Sequence, residues 1–194
     1  MEDFVRRYYM DDTSHCDAVI EWFESDEIKK LHGPGRFLVK NATAVRVDPE
    51  VKESTDVSLR FNEVVNHPPL YPVVNWLWEC VLDYANDFDY LINNKAFEIL
   101  PTLNIQKYNP PSGGYKDWHY ERSTCDPIFL VWMIYLNDVE KGGGTSFKYL
   151  DHTEKAEKGK CILWPADFTH LHKGEIAPEE TKYIMTGWYQ YKEV

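Results

Sequence analysis

The chain has 194 residues, 43% of them hydrophobic and 15% aromatic, and a formal net charge of −11. That length and composition fit one packed domain and exclude a disordered chain or two cores of ordinary size. The acidic balance disfavours broad binding to phosphate backbones, and no apolar run reaches the length of a membrane span.

Residues 1–30 are expected to open with an amphipathic helix. Ser14 is a candidate N-cap, with Asp17 three positions on completing a capping box. Val19, Ile20, Trp22 and Phe23 supply the apolar stripe. His32 to Gly35 then break the chain. The polar, strand-prone stretch that follows, interrupted at Pro49, reads as short strand and loop. Residues 70–97 read as a second helix. Val73, Leu77, Cys80, Val81 and Tyr84 recur at helical spacing, and Pro72 suits a first turn.

From residue 98 the periodicity changes to that of strands. Residues 99–109 alternate, and Pro110 to Tyr115 form a turn. Residues 129–138 are one apolar run of strand length, hence a buried strand. Lys141 to Gly144 turn the chain, and residues 159–165 and 182–191 are further strands. Helices first and strands after predict an α+β domain. The natural architecture is an antiparallel double-stranded β-helix, or jelly-roll sandwich, with the N-terminal helices packed on one sheet. A single domain over 1–194 is expected, with 1–97 as helical support and N-terminal strands and 98–194 as the jelly-roll core.

The cysteines, Cys16, Cys80, Cys125 and Cys161, form no CxxC and no zinc-like spacing. The first residues are charged and lack the apolar stretch of a signal peptide. Free thiols and a reducing, cytoplasmic compartment are expected.

His119 and Glu121 are two apart, so on an extended strand they would share a face. His170 or His172 could supply a second imidazole. Two imidazoles and one carboxylate form the facial set of non-haem Fe(II) oxygenases, and a zinc hydrolase can use the same donors. Gly174 would allow close backbone approach just past His172. Pro165 and Asp167 set a turn ahead of the histidines. Lys182 begins the last strand. It is either a solvated strand-end lysine or a buried cation that pairs with a ligand carboxylate.

In combination these motifs resemble a known family. The run from Tyr135 to Phe147, YLNDVEKGGGTSF, resembles a strand–turn–strand signature. His172-Lys173-Gly174, followed by Lys182 at plus ten and Trp188 at plus sixteen, resembles its distal half. Residues of roughly 100–192 look like the catalytic domain of the prolyl 4-hydroxylase-like branch of the Fe(II)/2-oxoglutarate-dependent dioxygenases. The resemblance implies His119, Glu121 and His172 as iron ligands. It implies Lys182 on the distal carboxylate of 2-oxoglutarate, with Tyr108, Tyr135 and Thr145 lining the cosubstrate pocket. Trp188 would be the aromatic wall, and Tyr115 or Trp118, on a Gly-Gly loop able to close, would touch substrate.

The implied cofactors are Fe(II), 2-oxoglutarate and O2, with ascorbate as reductant. The implied reaction is hydroxylation of an unactivated C–H bond on peptidyl proline or another protein side chain. Free amino acids or small metabolites are alternative substrates, and a non-catalytic jelly-roll binding module is the alternative reading. No nucleic-acid or membrane partner is expected, and the oligomeric state is open. Two positions depart from the family pattern. Glu121 stands where the family usually has Asp, and the turn before the strand at 159–165 lacks the usual proline.

Overall fold

The computed structural model describes residues 2–38, 44–91, 96–122 and 127–192. Its organising element is the strand Ile128–Tyr135. Every residue from Phe129 to Leu136 is buried, because the strand is covered on both faces, and this is why the sequence there is continuously apolar. Leu130, Trp132 and Ile134 pack with Val19, Phe23, Leu77 and Val81 of the helices. Val131, Met133 and Tyr135 point the other way and pack with Tyr108, Phe147, Ile162 and Ile184. One strand thus divides an outer, helix-covered core from an inner core between two sheets.

The larger sheet has eight strands, all antiparallel. Across it run Arg6–Tyr9, Lys160–Pro165, Ile128–Tyr135, Lys182–Tyr191, Thr102–Tyr108, Thr55–Arg60 and Gly33–Pro34, with Phe97–Ile99 pairing the end of Lys182–Tyr191. The smaller sheet has three strands, His152–Glu154, Thr145–Phe147 and His172–Gly174. This is the predicted jelly roll with its helices on one sheet.

Several boundaries differ from expectation. A strand, Arg6–Tyr9, precedes helix α1, which is confined to Ser14–Phe23. Ser14 is not the N-cap. Thr13 holds that position without a side-chain bond, and the Ser14 hydroxyl donates to Asp12 at 2.6 Å. Helix α2 spans Tyr71–Asp87 rather than 70–97, and its Phe88 cap leaves helical geometry. Phe97, the last residue of the expected helix, belongs to a strand. Cys16, Cys80 and Cys161 are buried free thiols, and Cys125 lies outside the described residues. Among the described residues no helix is long and apolar enough to cross a membrane.

Gly187 marks a close approach in the outer core. It pairs with Trp132 across the sheet, and a Cβ at Gly187 would lie 2.5 Å from the indole Cζ2. Gly187→Ala is expected to lower stability by about 1–3 kcal/mol through overpacking. The reading is a lower urea midpoint with an unchanged slope. An unchanged midpoint would show that Trp132 relaxes without cost.

Candidate metal centre

His119 and Glu121 do not lie on a regular strand. His119 makes one isolated antiparallel bridge to His172, in which each amide donates to the other's carbonyl at 2.9 Å. The segment is therefore a short added edge on the small sheet. Its locally extended backbone is enough to put His119 and Glu121 on the side of His172. The ligating atoms of the three lie within 4.8 Å of one another.

The two rings are held in one tautomer. His119 Nδ1 donates to the Asp117 carbonyl and His172 Nδ1 to the His170 carbonyl, each at 2.9 Å. Carbonyls only accept, so Nδ1 carries the hydrogen and Nε2 is left for the centre. His172 Nε2 stands 3.2 Å from Glu121 Oε1. Glu121 Oε2 is buried with no hydrogen-bond partner. Two imidazoles presenting Nε2 and one carboxylate with a spare buried oxygen fit a divalent cation such as Fe(II).

His170 takes no part. Its Nε2 is bonded to the Asp3 carbonyl at 2.8 Å and its Nδ1 to the Thr169 hydroxyl at 2.9 Å. It lies in the short turn Phe168–His170, before the strand that carries His172.

Burial, together with the charge of His172, pushes His119 down to about 3. Burial alone would disfavour charge on Glu121 and His172 as well. Their mutual attraction overrides it, holding the Glu121 carboxyl below its ordinary value and His172 above its own. Glu121 and His172 thus favour each other's charged forms, beside the imidazole of His119 that burial keeps neutral. Tyr115 stacks on His119 at 3.6 Å with 14° between planes. Trp164 and Phe147 pack on His172 at 5.0 and 5.8 Å.

Deeper between the sheets lies Lys182, 2% exposed. Its ammonium stands 4.7 Å from the Tyr108 ring, its partner across the sheet, and reaches the Glu175 carbonyl at 3.5 Å. Burial lowers its pKa to about 8, with partial relief from the Glu175 charge. Gly174 is not required by close approach: a Cβ there would sit 3.4 Å from the Tyr115 amide and 3.7 Å from Lys182 Nζ, ordinary contact distances. The Tyr135 hydroxyl donates to Thr145 Oγ1 at 2.8 Å.

Trp188, Val131 and Trp164 form one row across the large sheet, on the inner face. Sequence reasoning passed over Trp164, which lies in a continuous apolar run, Cys161 to Trp164, that does not mark which face each side chain takes. Of the loop aromatics, only Tyr115 reaches the centre. Trp118 packs with Lys148 and Lys173, whose ammonium groups stand 5.7 and 5.2 Å from its ring. Those lysines alternate with Phe147 and His172, so Trp118 sits on the opposite face of the small sheet.

The loop itself is clamped. Lys52–Glu53 pairs with Gly114–Tyr115, and the Lys116 amide donates to the Val51 carbonyl at 2.8 Å. Lys52 is 5% exposed and bonded to Asp56 at 2.7 Å. No sequence signal announced this buried pair, because it lies in a stretch that reads as polar loop.

Residues 103–190 match the family model described as the 2OG-Fe(II) oxygenase superfamily. No curated protein matches the sequence. Among solved structures, the chain is similar to the viral collagen prolyl hydroxylase of Paramecium Bursaria Chlorella virus-1, with 17% identity, 98% of this chain and 97% of that one covered, and a TM-score of 0.64. It is similar to a Pseudomonas putida prolyl-4-hydroxylase, with 12% identity, 97% and 93% coverage and a TM-score of 0.72. A Trichoplax adhaerens prolyl hydroxylase in complex with a hypoxia inducible factor peptide fragment shares 14% identity, 97% and 84% coverage and a TM-score of 0.73. The match over 103–190, just under half of the chain, makes that part similar to the 2OG-Fe(II) oxygenase superfamily, and the whole chain shares the fold of these prolyl hydroxylases.

Proposed function

We propose that the chain hydroxylates peptidyl proline, with residues 1–194 acting as one domain in which 1–97 support the catalytic core at 98–194. One observation carries the cosubstrate side of this reading. A buried ammonium, Lys182, shares the inner space with the cluster of His119, Glu121 and His172. The peptide substrate is supported by the likeness to prolyl hydroxylases, one of them solved with a peptide.

Fe(II) held by His119, Glu121 and His172 would supply the oxygen activation needed to hydroxylate an unactivated C–H bond. The two Nδ1 bonds aim both imidazoles before any metal arrives. Glu121 provides the anionic donor that Asp gives elsewhere in the family. Lys182 would pair with the far carboxylate of 2-oxoglutarate, over a floor formed by Tyr108. The hydroxyls of Tyr135 and Thr145 would complete that end and fix the direction in which the cosubstrate lies. Trp188 and Trp164 would wall the centre against water. Tyr115 is the loop residue assigned to the substrate side. Ascorbate as reductant and a reducing, cytoplasmic compartment complete the proposal, the latter suited to the buried free thiols.

Anaerobic addition of Fe(II) and then 2-oxoglutarate should bring up a visible metal-to-ligand charge-transfer band. Turnover of proline-containing peptides should follow on admitting air. No band from a folded protein would overturn the reading. The band should also depend on pH. The Lys182 ammonium, with its pKa drawn down to about 8, is fully present below that pH and is lost as pH rises through it. Affinity for 2-oxoglutarate should therefore be flat below pH 8 and fall by up to about tenfold per unit above it. A flat profile up to pH 10 would remove Lys182 from the binding site.

A further inference from the structure

We propose that Gln106 and Asp56 are positioning residues for the cosubstrate, acting through Tyr108 on Lys182. The proposal rests on the 2-oxoglutarate reading above and deepens it at the end of the site away from the metal.

Three neighbouring strands carry this relay on the inner face of the large sheet. Asp56, on Thr55–Arg60, lies opposite Gln106, on Thr102–Tyr108. Tyr108 is two residues on and so shares that face, and it lies opposite Lys182. Lys52 reaches in from the short strand Lys52–Glu53. Its ammonium bonds to Asp56 Oδ2 at 2.7 Å and to the Arg36 carbonyl at 3.3 Å. Gln106 Nε2 donates to the same Oδ2 at 3.2 Å, and the Tyr108 hydroxyl donates to Gln106 Oε1 at 2.7 Å. Lys52, Gln106, Tyr108 and Lys182 are all buried.

The direction of each bond follows from the ion pair. A carboxylate only accepts, so the Gln106 amide must turn its nitrogen to Asp56. Its oxygen then faces Tyr108. An amide oxygen also only accepts, so the phenol must donate. With its hydroxyl hydrogen committed in this way, Tyr108 meets the Lys182 ammonium with its ring, at 4.7 Å. A phenol that donates is richer in electrons, so the bond to Gln106 strengthens the attraction between ring and ammonium. The relay thereby fixes where the ammonium stands, and with it where a far carboxylate would be held.

Stability does not account for the arrangement. An ion pair taken out of water gains little over apolar residues of similar volume. Asp56 Oδ1 is also buried with no hydrogen-bond partner among the described residues, which is a cost. Apolar side chains at 56 and 106 would complete the sheet without it.

The test compares two 2-oxo acids on the Fe(II)-loaded protein without oxygen, with affinities read from the charge-transfer band. 2-Oxoglutarate has the far carboxylate, and 2-oxopentanoate has a methyl group in its place. Gln106→Leu removes both bonds of the amide. It should weaken 2-oxoglutarate about tenfold, the order expected when a group that only orients a contact is lost, and leave 2-oxopentanoate unchanged. Asp56→Asn keeps the shape of the side chain and releases the amide from its fixed direction. It should do the same, and it serves if Gln106→Leu fails to fold. Adding Gln106→Leu to Lys182→Met should bring no further loss, because the relay acts only through the ammonium.

Equal weakening of both acids would make Gln106 and Asp56 merely structural and overturn the relay. An unchanged or tighter 2-oxoglutarate, or a further loss on top of Lys182→Met, would overturn it too. The relay and the cosubstrate reading fail in different ways. If Lys182→Met loses 2-oxoglutarate and the relay variants do not, the relay alone falls. If the parent gives no band with either acid, the cosubstrate reading falls and takes the relay with it.

Discussion

Replacing His172 with alanine is expected to abolish Fe(II) binding and with it all consumption of 2-oxoglutarate. Losing a partner that merely orients a ligand costs about 10- to 100-fold in metal affinity. Losing one of three ligands should cost more. His172 Nε2 also faces Glu121 Oε1 at 3.2 Å and favours its charged form. Its removal leaves a carboxylate, 12% exposed, without compensation. The variant should therefore be less stable at neutral pH than in mild acid, where Glu121 takes up a proton.

His170→Ala is the matched control. It breaks the contact with the Asp3 carbonyl and should cost about 1–3 kcal/mol of stability for the acceptor left unpaired, while iron is retained. Metal content and the charge-transfer band, measured on folded protein, decide between them. If His170→Ala loses the iron and His172→Ala keeps it, the assignment of the third ligand is wrong.

Lys182→Met should separate cosubstrate binding from metal binding. The thioether roughly matches the lysine stem in volume and removes only the charge. Affinity for 2-oxoglutarate is expected to fall by about 2–5 kcal/mol, the cost of leaving a buried carboxylate unpaired, which is on the order of 30- to 1,000-fold or more. Fe(II) should bind as before.

Stability should move the other way. The ammonium is held in a site that lowers its pKa to about 8, so below that pH folding carries the cost of desolvating it. Without cosubstrate, Lys182→Met should be at least as resistant to urea as the parent at pH 7. This difference should shrink as pH rises toward 10. A variant that loses both stability and iron would show Lys182 to be structural. Unchanged cosubstrate affinity would end its assigned role.

The parts of the fold that were legible from sequence are those where one periodicity governs burial. In α2, Val73, Leu77, Cys80, Val81 and Tyr84 are all buried, as their spacing predicts. The apolar run around Trp132 fixed the central strand because only a strand covered on both faces tolerates it. The strand Arg6–Tyr9 was not legible. It joins the sheet through backbone bonds to residues 160–163, and its side chains carry no alternation that announces a partner.

The choice between His170 and His172 had the same root. Two histidines two apart look equivalent if the strand is assumed to run through both. The turn Phe168–His170 ends that equivalence, and turns of this kind depend on the neighbouring backbone. Trp118 shows the converse. Its place beside His119 in sequence suggested the site, yet adjacent residues in an extended segment face opposite ways.

The clamp on the loop before His119 changes what that loop can be. Gly113 and Gly114 invite description as hinges. However, a Cβ at Gly113 would fall 2.5 Å from the Asn109 carbonyl oxygen, and Gly114 is paired to Glu53. These glycines serve close packing. The entrance to the centre is thus preorganised, and a substrate would meet a finished rim whose ordering cost was met when the chain folded. Selectivity is then open to adjustment from Val51 to Asp56, a stretch that supplies no ligand and no donor to the metal. Changes there would re-aim Tyr115 through its pairing with Lys52 and leave the chemistry intact, so what the entrance accepts can be altered without touching a ligand.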